Sequence, residues 1–251
     1  MKLRELLAIM QTITIKLKIA QPMACGGVPR DRVLGRLQDI SDLDITNGEK
    51  SIDFLAKELG SQLRKTFKLN VKQMSDGHSS IFLGNLKIDF SSNFIAPNIE
   101  GELSKIGIKS PTPMQKELFS RDFTCNALLM DLDLKTISDP TNLGFRDIKK
   151  RVIKTCLVPE ITLTTNKNRV VRAIYLAAKL DFDLDESMMV FIKKNPQSVK
   201  FASQHTLIEK LNKAIEFDSD KTTHLLNELN LWNYIPISKE LYPYYQKRVK
   251  I

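Results

Sequence analysis

Residues Cys25–Thr46 read CGGVPRDRVLGRLQDISDLDIT. A short buried strand over Ala20–Cys25, interrupted by Pro22, feeds Gly26-Gly27. Two glycines after a strand let the backbone turn sharply and come close to a ligand. Exposed N–H groups there, or at the start of the next helix, can cradle phosphate. Pro29 is tolerated in a first helical turn, Arg30 and Asp31 follow, and Val33 and Leu34 supply an inward face. Asp42-Leu43-Asp44-Ile45 then alternates. In a strand, residues two apart share a face, so Leu43 and Ile45 can face a core while Asp42 and Asp44 project together. Two carboxylates this close raise each other's pKa unless a cation lies between them. Magnesium suits such a pair, because it takes oxygen ligands and commonly combines one or two carboxylates with substrate phosphates. A solvated strand end bearing two acids is the plainer alternative.

Upstream, residues 3–10 have helical spacing, and residues 12–19 fit either a strand or a continuation of that helix. Downstream, Glu49–Leu63 is expected as an amphipathic helix with Ile52, Leu55, Ala56 and Leu59 buried. Phe67–Met74, Ser79–Gly84 and Leu86–Phe90 are expected as strands, with turns at Asp76-Gly77 and Gly84-Asn85. Asp89 lies between Ile88 and Phe90, and an acid in a short apolar run is a poor core residue unless paired or metal-bound. Beside Asp42 and Asp44 it would complete a three-carboxylate site able to hold two metal ions, one activating an attacking hydroxyl and one holding a triphosphate and its leaving pyrophosphate.

Residues 92–120, broken by Pro97, Pro111 and Pro113, are expected to be irregular. In Arg121–Leu128, RDFTCNAL, Asp122 or Thr124 can cap a helix, Arg121 offers phosphate a fork of donors, and Asn126 can cap or meet a sugar hydroxyl. Asp147 is expected to cap the turn holding Lys149, Lys150 and Arg151. Thr165–Leu180 has the spacing of one helix, and Glu186–Lys194, His205–Glu216 and Lys221–Leu229 follow as shorter ones. The tail combines Trp232, Tyr234, Tyr242, Tyr244 and Tyr245 with Lys247 and Arg248, a mixture suited either to stacking bases or to closing a helical core.

The formal net charge is +9, which favours a polyanionic partner, nucleic acid or an anionic membrane surface, over the plainer reading of a basic protein with no such partner. Cys25, Cys125 and Cys156 are too few and too scattered for a disulfide framework, and no Cys-x-x-Cys accompanies the histidines. That pattern excludes a zinc ribbon and fits a reducing, cytoplasmic setting. No stretch is apolar enough to span a bilayer, so no membrane partner is expected. The N-terminal segment weakly resembles a transit peptide but reads more simply as a first helix.

The order and spacing of these motifs over about residues 20–180 resemble the class II tRNA nucleotidyltransferase and bacterial poly(A) polymerase family. Its Gly-Gly-x-Val-Arg-Asp opening is similar to Gly26–Asp31, with Pro29 in place of valine, and its Asp-x-Asp matches Asp42 and Asp44. Its later strand acid matches Asp89, and its Arg-Arg-Asp-Phe-Thr-x-Asn-Ala-Leu matches Ser120–Leu128, with Ser120 replacing the first arginine. Its Glu-Asp-x-x-Arg element, which pairs with the incoming base, falls on Thr165, Asn166 and Arg169; Arg172 matches a further arginine, and Tyr175 replaces another.

The resemblance implies an α+β fold: a nucleotidyltransferase (polymerase beta-like) head over 1–158 with a small mixed sheet and flanking helices, then an all-helical RNA-binding neck over 159–251. It implies Mg2+, as two ions, and ATP or CTP as substrate. Asp42 and Asp44 would bind the metal, with Asp89 as third acid and general base. Gly26, Gly27 and Arg30 would hold triphosphate, Arg121, Asp122 and Asn126 phosphate and ribose, and Asn166, Arg169 and Arg172 the base. The acceptor would be an RNA, in the first instance a tRNA 3′ end receiving CCA or A. Poly(A) addition, transfer to a non-RNA acceptor, or a degenerate RNA-binding protein are the alternatives. The chain is short for the family, so either a shorter contact with the substrate suffices or a protein partner or a second copy supplies the missing RNA-binding surface.

Overall fold

The computed structural model describes residues 2–37, 39–67, 70–73, 79–91 and 94–249. The chain divides into two units, residues 1–145 and 146–251.

In the first unit, helix α1 (Leu3–Leu17) precedes strand β1 (Met23–Cys25), helix α2 (Gly27–Val33), strand β2 (Asp42–Thr46) and helix α3 (Ile52–Arg64). Strands β3 (Asn70–Gln73), β4 (Ser79–Leu83) and β5 (Leu86–Phe90) follow, then helices α4 (Ile99–Lys105) and α5 (Pro113–Ser120) and strands β6 (Leu129–Met130) and β7 (Ile137–Ser138). The seven strands form one mixed sheet in the order β3-β4-β5-β2-β1-β6-β7. The β2–β5 pair is parallel and every other pair is antiparallel. A parallel neighbour needs a crossover, and α3 with the β3–β4 hairpin provides it between β2 and β5.

One face of the sheet carries the core. Leu43, Ile45, Ile81, Ile88 and Phe90 are fully buried there with Leu6, Met10 and Ile13 of α1 and Ile52, Leu55 and Leu59 of α3. At about 25 cal/mol per Å2 of apolar surface removed from water, this layer anchors the facing of β2 and β5. The strict two-residue period then sends Asp42, Asp44 and Thr46, with Lys87 and Asp89, to the opposite face.

Several local expectations are revised. Residues 12–17 continue α1, whose stripe Leu6, Met10 and Ile13 needs the extra turn to cover the sheet. The stretch expected to be irregular holds α4 and α5; Pro113 sits in the first turn of α5, where its missing N–H costs nothing, and Thr112 accepts from Gln115 N as a capping box. RDFTCNAL forms no α-helix: Thr124–Asn126 makes a single 3-10 turn before β6. Strand β3 covers Asn70–Gln73 of the stretch expected, while residues 68, 69 and 74 and the Asp76-Gly77 turn lie outside the described residues.

Helix α6 (Gly144–Lys150) runs across the division between the units. Asp139, not Asp147, accepts from its Phe145 N–H, at 3.1 Å. The second unit continues with β8 (Val152–Ile153), α7 (Pro159–Thr165), α8 (Asn168–Leu180), β9 (Asp183–Leu184), α9 (Glu186–Lys194), α10 (Gln204–Phe217), α11 (Ser219–Glu228) and α12 (Tyr242–Val249). It is helical apart from the two-residue parallel ladder of β8 and β9, which the all-helical expectation lacked. The helix expected over 165–180 is broken at Asn166-Lys167, where Asn166 accepts from Asn168 N at 3.0 Å and competes with helical continuation. Trp232 is buried, donates to Asn227 Oδ1 at 2.7 Å and packs on Tyr245, so this part of the aromatic tail closes the helical core.

Candidate active site

The acidic face is assembled by register. Cα partners across the parallel β2–β5 pair are Asp42 with Lys87 and Asp44 with Asp89. On the other side Cys25 of β1 faces Asp44, and on β4 Ser80 faces Asp89. Three carboxylates that are 47 positions apart at most in the chain thus meet on two adjacent strands, as the alternation requires.

Asp44 is the most constrained of them. Loss of solvent pushes its carboxyl up to about 6; the Arg121 guanidinium pulls it down, while Asp42 and then Asp89 push it up. Gly26 lies directly against it. With φ +72° the glycine occupies a region that side chains avoid, and a Cβ there would collide with the Asp44 Oδ2 atom. Gly26 therefore makes a close approach to Asp44, as well as a turn.

Arg30 is buried. Its Nε donates to Asp31 Oδ1 at 2.8 Å and its Nη1 to Asn126 Oδ1 at 2.6 Å. Asn126 Nδ2 in turn donates to Asp122 Oδ1 at 3.1 Å, which also accepts from Phe123 N at 2.8 Å. The two motifs, 96 residues apart, are locked together by this chain of hydrogen bonds beside Gly27. Arg121 points toward Asp44 and pairs with Glu117 Oε1 at 2.8 Å, while Glu117 Oε2 accepts from Thr46 Oγ1. Its Nε is buried and has no hydrogen-bond partner in the structure.

Two residues of this face went unread in the sequence. Glu117 is buried and bridges β2 to Arg121; the signal available was its i,i+4 spacing to an arginine. Lys87 ion-pairs with Asp89 and lies 4.0 Å from Asp42 Oδ1; the signal was its two-residue spacing to Asp89 in LKIDF. Asn166, Arg169 and Arg172 belong to the second unit. Asn166 is exposed, Arg172 is half-buried, and Arg169 is buried with Nη1 donating to Thr162 O at 3.0 Å, which ties α8 to α7.

The donor chemistry suits a hard divalent cation at Asp42 and Asp44: two oxygen donors on one face, with the Asp44 carboxyl pushed up first by loss of solvent and then by repulsion from Asp42. Among the described residues no group of three or more His, Cys, Asp and Glu side chains is arranged to hold a metal. The third acid is engaged elsewhere, Asp89 Oδ1 accepting from Ser80 Oγ at 2.5 Å and Oδ2 from Lys87.

A mixed sheet with helices on one face and paired strand carboxylates beside a Gly-Gly turn on the other is the nucleotidyltransferase fold. Residues 23–154 match the family described as Poly A polymerase head domain, and the chain belongs to that family. It is 26% identical over 236 residues to the A-adding tRNA nucleotidyltransferase of Aquifex aeolicus, a match covering 90% of this chain and 26% of the relative. It is 27% identical over 206 residues to the tRNA nucleotidyltransferase cca2 of Schizosaccharomyces pombe, covering 76% of this chain and 42% of the relative. The solved structure of a tRNA-processing enzyme with CTP superposes with a TM-score of 0.67 at 25% identity, over 90% of this chain and 57% of that one. A tRNA nucleotidyltransferase complexed with a primer tRNA and an incoming ATP analog shares the fold, with a TM-score of 0.67. The chain thus spans between a quarter and a half of the length of these two curated relatives.

Proposed function

We propose that the protein transfers a nucleoside monophosphate from ATP or CTP to the 3′ hydroxyl of an RNA, releasing pyrophosphate, and that the acceptor is a tRNA 3′ end receiving CCA or A. The observation that carries this reading is Asp44 pressed against Gly26, with Asp42 two residues before it on the same strand face and Asp89 beside it in register. Magnesium held by Asp42 and Asp44 would supply Lewis-acid stabilisation of the transferring phosphoryl group, with a second ion reached through Asp89.

The chain's own residues do the rest. Asp89 is assigned to take the proton of the attacking hydroxyl, a role that needs Lys87 to release its Oδ2. Gly26 and Gly27 leave the backbone open to the triphosphate, and Arg30 with Asn126 braces that turn. Arg121 neutralises charge beside Asp44, and Asp122 is assigned to the ribose. Asn166, Arg169 and Arg172 are assigned to the base edge; Asn166 donates and accepts hydrogen bonds but brings no charge to orient Arg169. We assign the catalytic head to residues 1–158 and an RNA-binding neck to residues 159–251, a functional boundary that falls later than the division between the compact units after residue 145. Three buried cysteines outside any disulfide suit the cytoplasm, and among the described residues no helix is long and apolar enough to cross a membrane.

Incubation with magnesium, separately labelled triphosphates and three acceptors (tRNA lacking its 3′ end, intact tRNA and a generic oligonucleotide) tests the reading. Label should enter the trimmed tRNA from CTP or ATP. Homopolymer on the generic oligonucleotide would move the assignment to poly(A) addition. Incorporation without RNA would remove the RNA acceptor altogether.

A further inference from the structure

On β5 the alternation that buries Ile88 also puts Lys87 beside Asp89, and the parallel register sets Lys87 opposite Asp42. The ammonium therefore stands between acids of both strands, paired with Asp89 Oδ2 and 4.0 Å from Asp42 Oδ1. Ser80 holds the other oxygen of Asp89, so that carboxylate is fully engaged. A one-residue slip of β5 would drive Lys87 into the apolar layer, so the core enforces its place.

We propose that Lys87 is the resident counter-cation of the acidic face: it neutralises Asp89 and Asp42 in the metal-free protein and sets the concentration at which a divalent ion loads. The inference rests on the reading of Asp42 and Asp44 as metal ligands. A lysine suits the role because its charge is a compact point on a flexible four-carbon stem, which can swing out as the ion enters. Its side chain is 40% exposed, so solvent is available to receive it. A half-exposed ion pair contributes little to folding, so fold stability is not its main effect. A fixed positive charge a few ångströms from a doubly charged ion weighs more heavily, because the repulsion scales with both charges.

Free Mn2+ is to be titrated by electron paramagnetic resonance against metal-free wild type, Lys87→Met, Lys87→Gln, Lys87→Arg and Asp44→Asn, with neither nucleotide nor RNA present. Both neutral variants should bind Mn2+ roughly tenfold more tightly than wild type, while Lys87→Arg stays close to it. Their melting temperatures should also rise more on adding Mg2+ than that of wild type. Wild-type affinity in Lys87→Met and Lys87→Gln, alongside loss of binding in Asp44→Asn, overturns the role of Lys87 and leaves the metal site standing. Undiminished binding in Asp44→Asn overturns the metal site, and the role of Lys87 with it.

Discussion

Asp44 meets two other acids on one sheet face, and its raised pKa makes a prediction about the metal-free protein. Its folded value, about 6, lies above the ordinary 3.8, so between these pH values the folded state binds more protons than the unfolded chain. This group's contribution to stability is therefore fully present below pH about 4 and is lost as pH rises through about 6. Denaturant melts in chelator at pH 5 and pH 7 should show less loss of stability with rising pH in Asp44→Asn than in wild type. Equal slopes in the two proteins would remove the electrostatic account of Asp44. For the chemistry, Asp42→Ala or Asp44→Ala should abolish pyrophosphate release while RNA retention on a filter stays near wild type. Residual turnover at the wild-type rate in both would refute their assignment.

At the scale of elements, α5 is joined to the sheet by a buried acid. Glu117 accepts from Thr46 on β2 and pairs with Arg121 just past the end of the helix. Removing one partner of a buried pair leaves an uncompensated charge, so Glu117→Ala should cost roughly 3–5 kcal/mol in chemical denaturation. Glu117→Gln also removes the charge but keeps one oxygen to accept from Arg121 and an Nε2–H that can donate to the Thr46 hydroxyl, so it should cost less than the alanine by the hydrogen bonds it retains. If Glu117→Gln is as stable as wild type, charge compensation is not what Glu117 contributes. The same element shows where reading the sequence faltered. Three prolines suggested irregular chain over 92–120, yet Pro113 is a helix-starting proline and Thr112 a cap, and each is legible only once the helix boundary is known. Thr165–Leu180 erred the other way, because apolar spacing carries across a break that Asn166 makes through its own side chain.

For the whole molecule, the net charge of +9 sets an expectation for binding. If the partner is RNA, affinity should fall steeply as salt rises, log Kd changing linearly with log salt as counterions are released. Filter binding of a tRNA across a salt series measures the slope; a flat line would point to a partner held by apolar surface. The family match over residues 23–154 carries the polyanion reading further than charge alone does, because it ties the basic chain to a nucleotide-handling head.

The alternation of DLDIT and LKIDF, the glycine pair, and the family pattern into which Asp42, Asp44, Asp89 and Asp122 fall are all legible along the chain. These are local or ordered along the chain, and a two-residue period fixes which side chains share a face whatever the strand pairs with. That β2 and β5 run parallel, in a register setting Asp44 beside Asp89 and Lys87 beside Asp42, emerges from the folded chain alone. So does the reach of Arg30 to Asn126 and of Glu117 to Thr46. Partner choice between distant strands follows from how α1 and α3 bury one face of the whole sheet together, a property no single stretch of chain contains.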